Sequence, residues 1–176
     1  MLKLTFESIP LYDEATNRFI EIKGGTYTFK HSLYAIAKWE AKWLTPFLVE
    51  SPPKTPEQLS DYFKMMTNDE DFNPMVMTHE DQLKVLDYMK APMSATKIYS
   101  TREGVVTVET ADTLYASLFM AGLDIECQHW HINRLFKVLG VIGERNSPPK
   151  KLSASEIRER NIRLNAERKA KLNTKG

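Results

Sequence analysis

The side chains with the clearest capacity for chemistry sit together at Cys127, His129 and His131. A thiolate and two imidazoles are ordinary zinc ligands, held at the corners of a tetrahedron. The surrounding pattern predicts a helix, however, and residues two apart on a helix point to different faces, so His129 and His131 do not converge on one ion. No fourth ligand stands at a suitable spacing, and structural or surface roles are the expectation. As a nucleophile, Cys127 needs a base from elsewhere in the fold, and His31 and His79 are the candidates. No nucleophile signature surrounds it. The seven glycines are scattered and build no phosphate-binding loop; Gly24-Gly25 reads as a hairpin turn. Asp69, Glu70 and Asp71 bring three carboxylates side by side, a pattern that fits a solvated loop better than a calcium or acid–base site. These residues therefore predict no catalytic, cofactor-binding or metal-binding group, and a chain that is not an enzyme.

The elements that must carry these residues begin with strands. Leu2 to Glu7 alternates apolar and polar residues, Asp13 to Asn17 supplies a polar turn, and Arg18 to Lys23 and Thr26 to Lys30 flank Gly24-Gly25, which predicts a hairpin and a sheet of two or three strands. Lys30 to Val49 places Leu33, Ile36, Trp39, Trp43 and Phe47 at three- and four-residue spacings on one face of a helix. Ser32 is its candidate N-cap, and Pro46 ends or kinks it. Thr55-Pro56-Glu57-Gln58 combines a cap, a proline at the first helical position and a capping-box glutamine, starting a helix that runs to about Met66. Leu59, Tyr62, Phe63 and Met66 are its inward side. Thr78 caps another helix, to about Met89, with Leu83, Leu86 and Tyr88 or Met89 inward.

Lys97 to Tyr99 and Val105 to Val108 suggest a second short hairpin. Thr110 to Leu123, ending near Gly122, and Cys127 to Ile142 predict two further helices, the second being the expected central core helix. Trp39 and Trp43 are expected to pack against Trp130, with an exposed aromatic binding stripe as the alternative. The predicted class is thus α+β, mainly helical: a small N-terminal antiparallel sheet packed on a bundle of about five helices. The expected domains are a body over 1–147, with a β region at 1–30 and a helical core at 31–147, and an arm over 148–176.

The arm begins after Ser147-Pro148-Pro149. Ser153-Ala154-Ser155-Glu156 is a capping box, and the composition up to about Leu172 is strongly helical without a wide apolar stripe. Residues 150–176 hold nine Lys and Arg against three Glu, a charge of +6 within a total of +1, so residues 1–149 carry −5. Such a split lets an arm reach an acidic partner or a second copy of its own chain. The candidate partner-binding residues are Lys150, Lys151, Arg158, Arg160, Arg163, Arg168, Lys169 and Lys171. Nucleic acid is the weaker reading, because no aromatic is interleaved after Phe136 and Glu156, Glu159 and Glu167 dilute the charge. The single cysteine excludes an internal disulfide. MLKLTFESIP lacks the apolar run of a signal peptide, and no run approaches the roughly 20 residues of a membrane span. A cytoplasmic protein without membrane contact is expected.

Three blocks together carry a resemblance. They are His31-Ser32-Leu33 with Lys38 to Trp43 and Pro46-Phe47-Leu48; Glu126 to Leu135; and Pro148-Pro149-Lys150-Lys151 through Arg160-Asn161 and Leu164-Asn165-Ala166 to Asn173-Thr174-Lys175-Gly176. In these the chain resembles, over nearly its whole length, small proteins from the structural-gene clusters of long-tailed bacteriophages, of the tail assembly chaperone type. The resemblance implies a non-enzymatic role in the host cytoplasm. Such a chaperone binds the helical tape-measure protein, keeps it soluble and helps tail-tube subunits polymerise around it. The basic arm would then lie along the tape measure, or dock on a neighbouring copy and give self-association. Two alternatives follow from the same residues: a virion component at the head–tail junction or tail end, and a nucleic-acid-binding module using the arm.

Overall fold

The computed structural model describes residues 1–15, 17–96, 109–147 and 154–172. The hairpin expected between Lys97 and Val108 lies outside them. The chain divides into two compact units, Met1–Arg145 and Asn146–Gly176. The architecture is α+β and mainly helical, with four strands followed by six α-helices.

Strands β1 (Leu2–Phe6) and β4 (Gly25–Phe29) pair antiparallel, as do β2 (Ile9–Asp13) and β3 (Arg18–Ile22). Both ladders keep one register. Phe6 faces Gly25, Ile9 faces Ile22, and two residues intervene on each side, so the two pairs follow one another along a single long hairpin. The expected turn at Gly24-Gly25 is therefore wrong; the chain reverses between Asp13 and Arg18, and Gly24 sits at the break between the two pairs. Its glycine identity has a steric cause: a Cβ there would lie 2.2 Å from the Phe6 carbonyl oxygen and 2.6 Å from the Ser8 nitrogen. The Ser8 hydroxyl accepts the Gly24 N–H at 3.0 Å.

The inner pair turns Phe6, Tyr27 and Phe29 onto one face, where their rings surround Phe72 at centroid distances of 5.8, 4.7 and 5.4 Å. The outer pair leaves Leu11, Tyr12, Phe19 and Ile20 exposed.

Helix α1 (Leu33–Trp43) starts at Ser32, whose hydroxyl accepts the Ala35 N–H, and buries Leu33, Ala35, Ile36 and Trp39. It stops three residues before Pro46, because Leu44 takes a left-handed conformation (φ 52°) and turns its N–H back to the Glu40 carbonyl. Phe47 is buried all the same, from the loop rather than from the helix. Helix α2 (Pro56–Thr67) has the expected capping box at Thr55 and Gln58 and buries Tyr62, Phe63 and Met66. It packs on α1 and β4, where the Met66 carbonyl accepts the Lys30 N–H at 2.9 Å. In α3 (His79–Lys90) only Val85 is fully buried, and Leu83, expected inward, is exposed. Val85 takes the central position of that face, with Leu86, Tyr88 and Met89 packing at its edge.

Helix α4 (Ala111–Met120) packs on α1, and Gly122 beyond it has φ 68°, a left-handed value that suits glycine. The helix expected from Cys127 starts later. Ile125–His129 forms a 3-10 turn, Trp130 is extended, and His131 bridges to Ser32, with the His31 carbonyl accepting the Ile132 N–H at 2.8 Å. This cross-chain bridge takes the backbone groups a helix would have used, so α5 runs from Ile132 to Asn146. Only Ile132 and Leu135 of α5 are fully buried. The central helix of the body is α1, which meets α2, α4 and the 3-10 turn.

In the second unit, α6 (Ala154–Leu172) has no buried residue along its 19 positions. No helix among the described residues is long and apolar enough to cross a membrane.

Candidate functional site

The three residues that suggested a metal or nucleophile point apart. Cys127 is buried in the 3-10 turn, and burial together with the nearby Asp124 carboxylate pushes its thiol pKa up, which holds it protonated. His129 lies against the Tyr34 ring at 5.2 Å, whereas His131 lies against His31 at 5.2 Å and Tyr88 at 4.9 Å. Among the described residues no group of three or more His, Cys, Asp or Glu side chains is placed to hold a metal ion.

His31 and His131 instead belong to a buried polar cluster where the N-terminus of α1 meets α2, α3 and α5. His31 Nδ1 and the Tyr62 hydroxyl are 2.5 Å apart. Burial, reinforced by the charge of His131, lowers the His31 pKa to about 3, so the imidazole is neutral. Burial also raises the Tyr62 phenol well above its ordinary value. His131 Nδ1 accepts the Asn133 N–H at 3.2 Å, which leaves Nε2 to donate to the Tyr88 carbonyl at 3.1 Å. Asn133 donates its amide to the carbonyls of Met89 and Ala91 at 3.0 and 2.8 Å. Tyr62 is fully buried and His31 is 5% exposed, so no substrate reaches this pair. It pins four helices together. Sequence spacing gave no sign of it, since His31 and Tyr62 are 31 residues apart.

The carboxylates at Asp69, Glu70 and Asp71 are exposed in the loop after α2, where Asp69 Oδ1 accepts the Asp71 N–H at 3.0 Å. Asp69 and Glu70 border an open groove of about 610 Å³ that also presents Lys38, Lys42, Asp61 and Lys64. Two of these cations have partners: Lys42 pairs with Asp61, and Lys38 donates to Asn68 Oδ1 at 2.6 Å.

Of the tryptophans, Trp39 is 1% exposed and donates its indole N–H to the Gln58 carbonyl at 2.9 Å. Its ring neighbours are Trp43 at 6.3 Å and Phe47 at 5.1 Å. Trp43 is half-buried, with its N–H on Asp61 at 3.1 Å. Trp130, expected against this pair, lies instead under the Arg134 guanidinium at 4.5 Å, because it occupies the extended residue before α5 rather than a helix face. Trp39 is part of the buried core, whereas Trp43 and Trp130 are partly buried at its edge. Glu40, on the same helix, reaches further: Oε1 accepts the Phe47 N–H at 2.8 Å and Oε2 the Ala111 N–H at 2.7 Å.

Arg158, Arg160, Arg163, Arg168, Lys169 and Lys171 all lie exposed on α6, while Lys150 and Lys151 lie outside the described residues. At about 100° per residue the helix is two-sided. Glu156, Glu159 and Glu167 fall within an arc of about 80°, each four residues before Arg160, Arg163 or Lys171, the spacing and order that favour ion pairs. The opposite arc, about 140° wide, carries Arg158, Arg168 and Lys169 among Ile157, Ile162 and Leu172, with no carboxylate. Ile162 and Leu172 are 64% and 71% exposed. Exposed isoleucine and leucine between unopposed cations form a face suited to an acidic, partly apolar protein surface.

Comparison with protein-family models, with curated proteins and with solved structures finds no match.

Proposed function

We propose that the protein acts in the morphogenesis of long-tailed bacteriophage tails, as a non-enzymatic assembly chaperone that binds the tape-measure protein in the host cytoplasm and assists tail-tube polymerisation. The observation that carries this reading is α6: 19 helical residues, none buried, with one cationic and apolar face. Isolated helices gain most of their stability by packing. A helix that buries nothing within its own unit is suited to lie along another helical protein, as the resemblance in the Lys38–Trp43, Glu126–Leu135 and Pro148–Gly176 blocks implies. The body is compatible with the same reading, since His31, His131, Tyr62 and Cys127 are buried or hydrogen-bonded within it.

Co-expression with the tape-measure protein from the same gene cluster tests this. The expected outcome is a soluble complex captured through either partner, lost when residues 148–176 are deleted. Tape-measure solubility that is the same with and without this protein would sink the proposal. Stoichiometric recovery in purified particles would replace it with a virion role. Nucleic-acid binding that falls steeply with salt would replace it with the third reading.

A further inference from the structure

Helix α4 carries an exposed stripe. Asp112, Ala116, Phe119 and Met120 stand at i, i+4, i+7 and i+8, on one face, and all four are exposed. Phe119 is 61% and Met120 89% exposed, and Ile125 on the turn that follows is 40% exposed. The charge within this segment of sequence has one sign. From Glu109 to Asn133 the sequence contains Glu109, Asp112, Asp124 and Glu126, all exposed, and no Lys or Arg. A ten-residue helix that leaves a phenylalanine and a methionine in water beside carboxylates has the composition of an interaction surface.

We propose that this acidic, apolar face of α4 is the docking site for α6 of a second copy of the chain. The two surfaces complement each other in kind. Arg158, Arg168 and Lys169 answer Asp112, Asp124 and Glu126, while Ile162 and Leu172 answer Phe119, Met120 and Ile125. They also match in length: Arg158 to Lys169 rises about 16 Å along α6, and Asp112 to Met120 about 12 Å along α4 before the turn at Gly122 adds Ile125. Each copy offers one surface and receives on the other, so copies join head to tail in a ring or filament, or exchange arms in a closed pair. This contact does not depend on the tape-measure reading, and because it uses the same face of α6, a second copy and the tape measure would be alternative occupants of that face.

Sedimentation velocity of the full chain across protein concentration and salt tests the proposal, with three variants: Arg158→Glu with Lys169→Glu, Asp112→Lys with Glu126→Lys, and Met120→Glu. The expected result is concentration-dependent association of the parent chain that weakens with salt. Each variant should associate more than about tenfold more weakly, as truncated or reversed interface charges do. An equimolar mixture of the two charge-reversed variants should recover association, since each then meets a complementary partner. Matching urea midpoints for parent and variants would establish that the body stays folded. A parent chain that stays monomeric throughout, variants that associate like the parent, or a mixture that remains monomeric would each overturn the proposal. A monomer that still captures the tape-measure protein would leave the proposed function standing while removing this contact.

Discussion

The Glu40 carboxylate is the point at which the body is most open to a decisive perturbation. Its two oxygens accept the backbone N–H groups of Phe47 and Ala111, tying α1 to the loop that buries Phe47 and to the first residue of α4. The Ala111 N–H is one of the donors a helix start leaves without an internal partner, and a carboxylate there also meets the favourable end of the helix dipole. Replacing Glu40, itself half-buried, by alanine strands both donors on residues the fold buries. Hydrogen bonds to a charged group contribute roughly 1.5–3 kcal/mol each; at partial exposure the lower end applies, so Glu40→Ala costs about 3 kcal/mol.

For a chain of this size that lowers Tm by roughly 6–12 °C. Glu40→Gln keeps one acceptor and sets an amide N–H against the other donor, so it should lose about half as much. Urea unfolding followed by tryptophan fluorescence measures both, with Trp39 reporting from beside the clasp. Hydrogen exchange adds the location, because Ala111 and the amides after it should lose protection before the rest of the body. Both variants within about 0.5 kcal/mol of the parent, with unchanged exchange at Ala111, would refute the clasp.

Three further outcomes follow. Phe72→Ala removes the ring around which Phe6, Tyr27 and Phe29 are arranged and should cost about 3–5 kcal/mol in urea unfolding, whereas Phe19→Ala, at a ring 73% exposed, should stay within about 0.5 kcal/mol. Gly24→Ala forces a Cβ against the Phe6 carbonyl and should destabilise by about 1–3 kcal/mol, visible as lost exchange protection in the β1–β4 ladder. His31 is neutral in the fold with a pKa near 3, and on unfolding it returns to about 6.5. The unfolded chain therefore binds the extra proton between those values, so stability is full above pH 6.5 and falls as pH drops toward 3, by up to roughly 1.4 kcal/mol per pH unit from this group. His131, also lowered by burial, acts in the same direction. Unfolding free energies measured from pH 7 to 4 should show this slope, and His31→Gln should flatten it; an unchanged slope in the variant would refute the assignment.

Much of the secondary structure was readable one segment at a time. The caps at Ser32, Thr55 and Thr78 are local chemistry, a side-chain oxygen meeting a nearby N–H, and each lies where the sequence put it. The arm was equally legible, since helix propensity and charge spacing in Ala154–Leu172 need no tertiary partner. Errors arose where distant segments decide. Gly24-Gly25 has the composition of a turn, but hairpin register is set by which faces bury Phe6, Tyr27 and Phe29, and that register pairs Asp13 with Arg18 across the reversal. Cys127 to Ile142 has helical periodicity, yet its first residues form a 3-10 turn and the bridge between Ser32 and His131 holds the chain extended before Ile132.

The sequence by itself determined the class, an α+β body followed by a basic helix, and it determined the charge split between them, because composition and local capping need only neighbours along the chain. Tertiary structure alone decided what the reactive-looking residues do. His31 and Tyr62 meet across 31 positions, Glu40 reaches Ala111 across 71, and Phe119 and Met120 are left outside while Leu118 is buried. Burial and hydrogen bonding of this kind depend on which surfaces close on one another in three dimensions. That closure turns His31 and His131 into pins and leaves Phe119 and Met120 of α4 exposed.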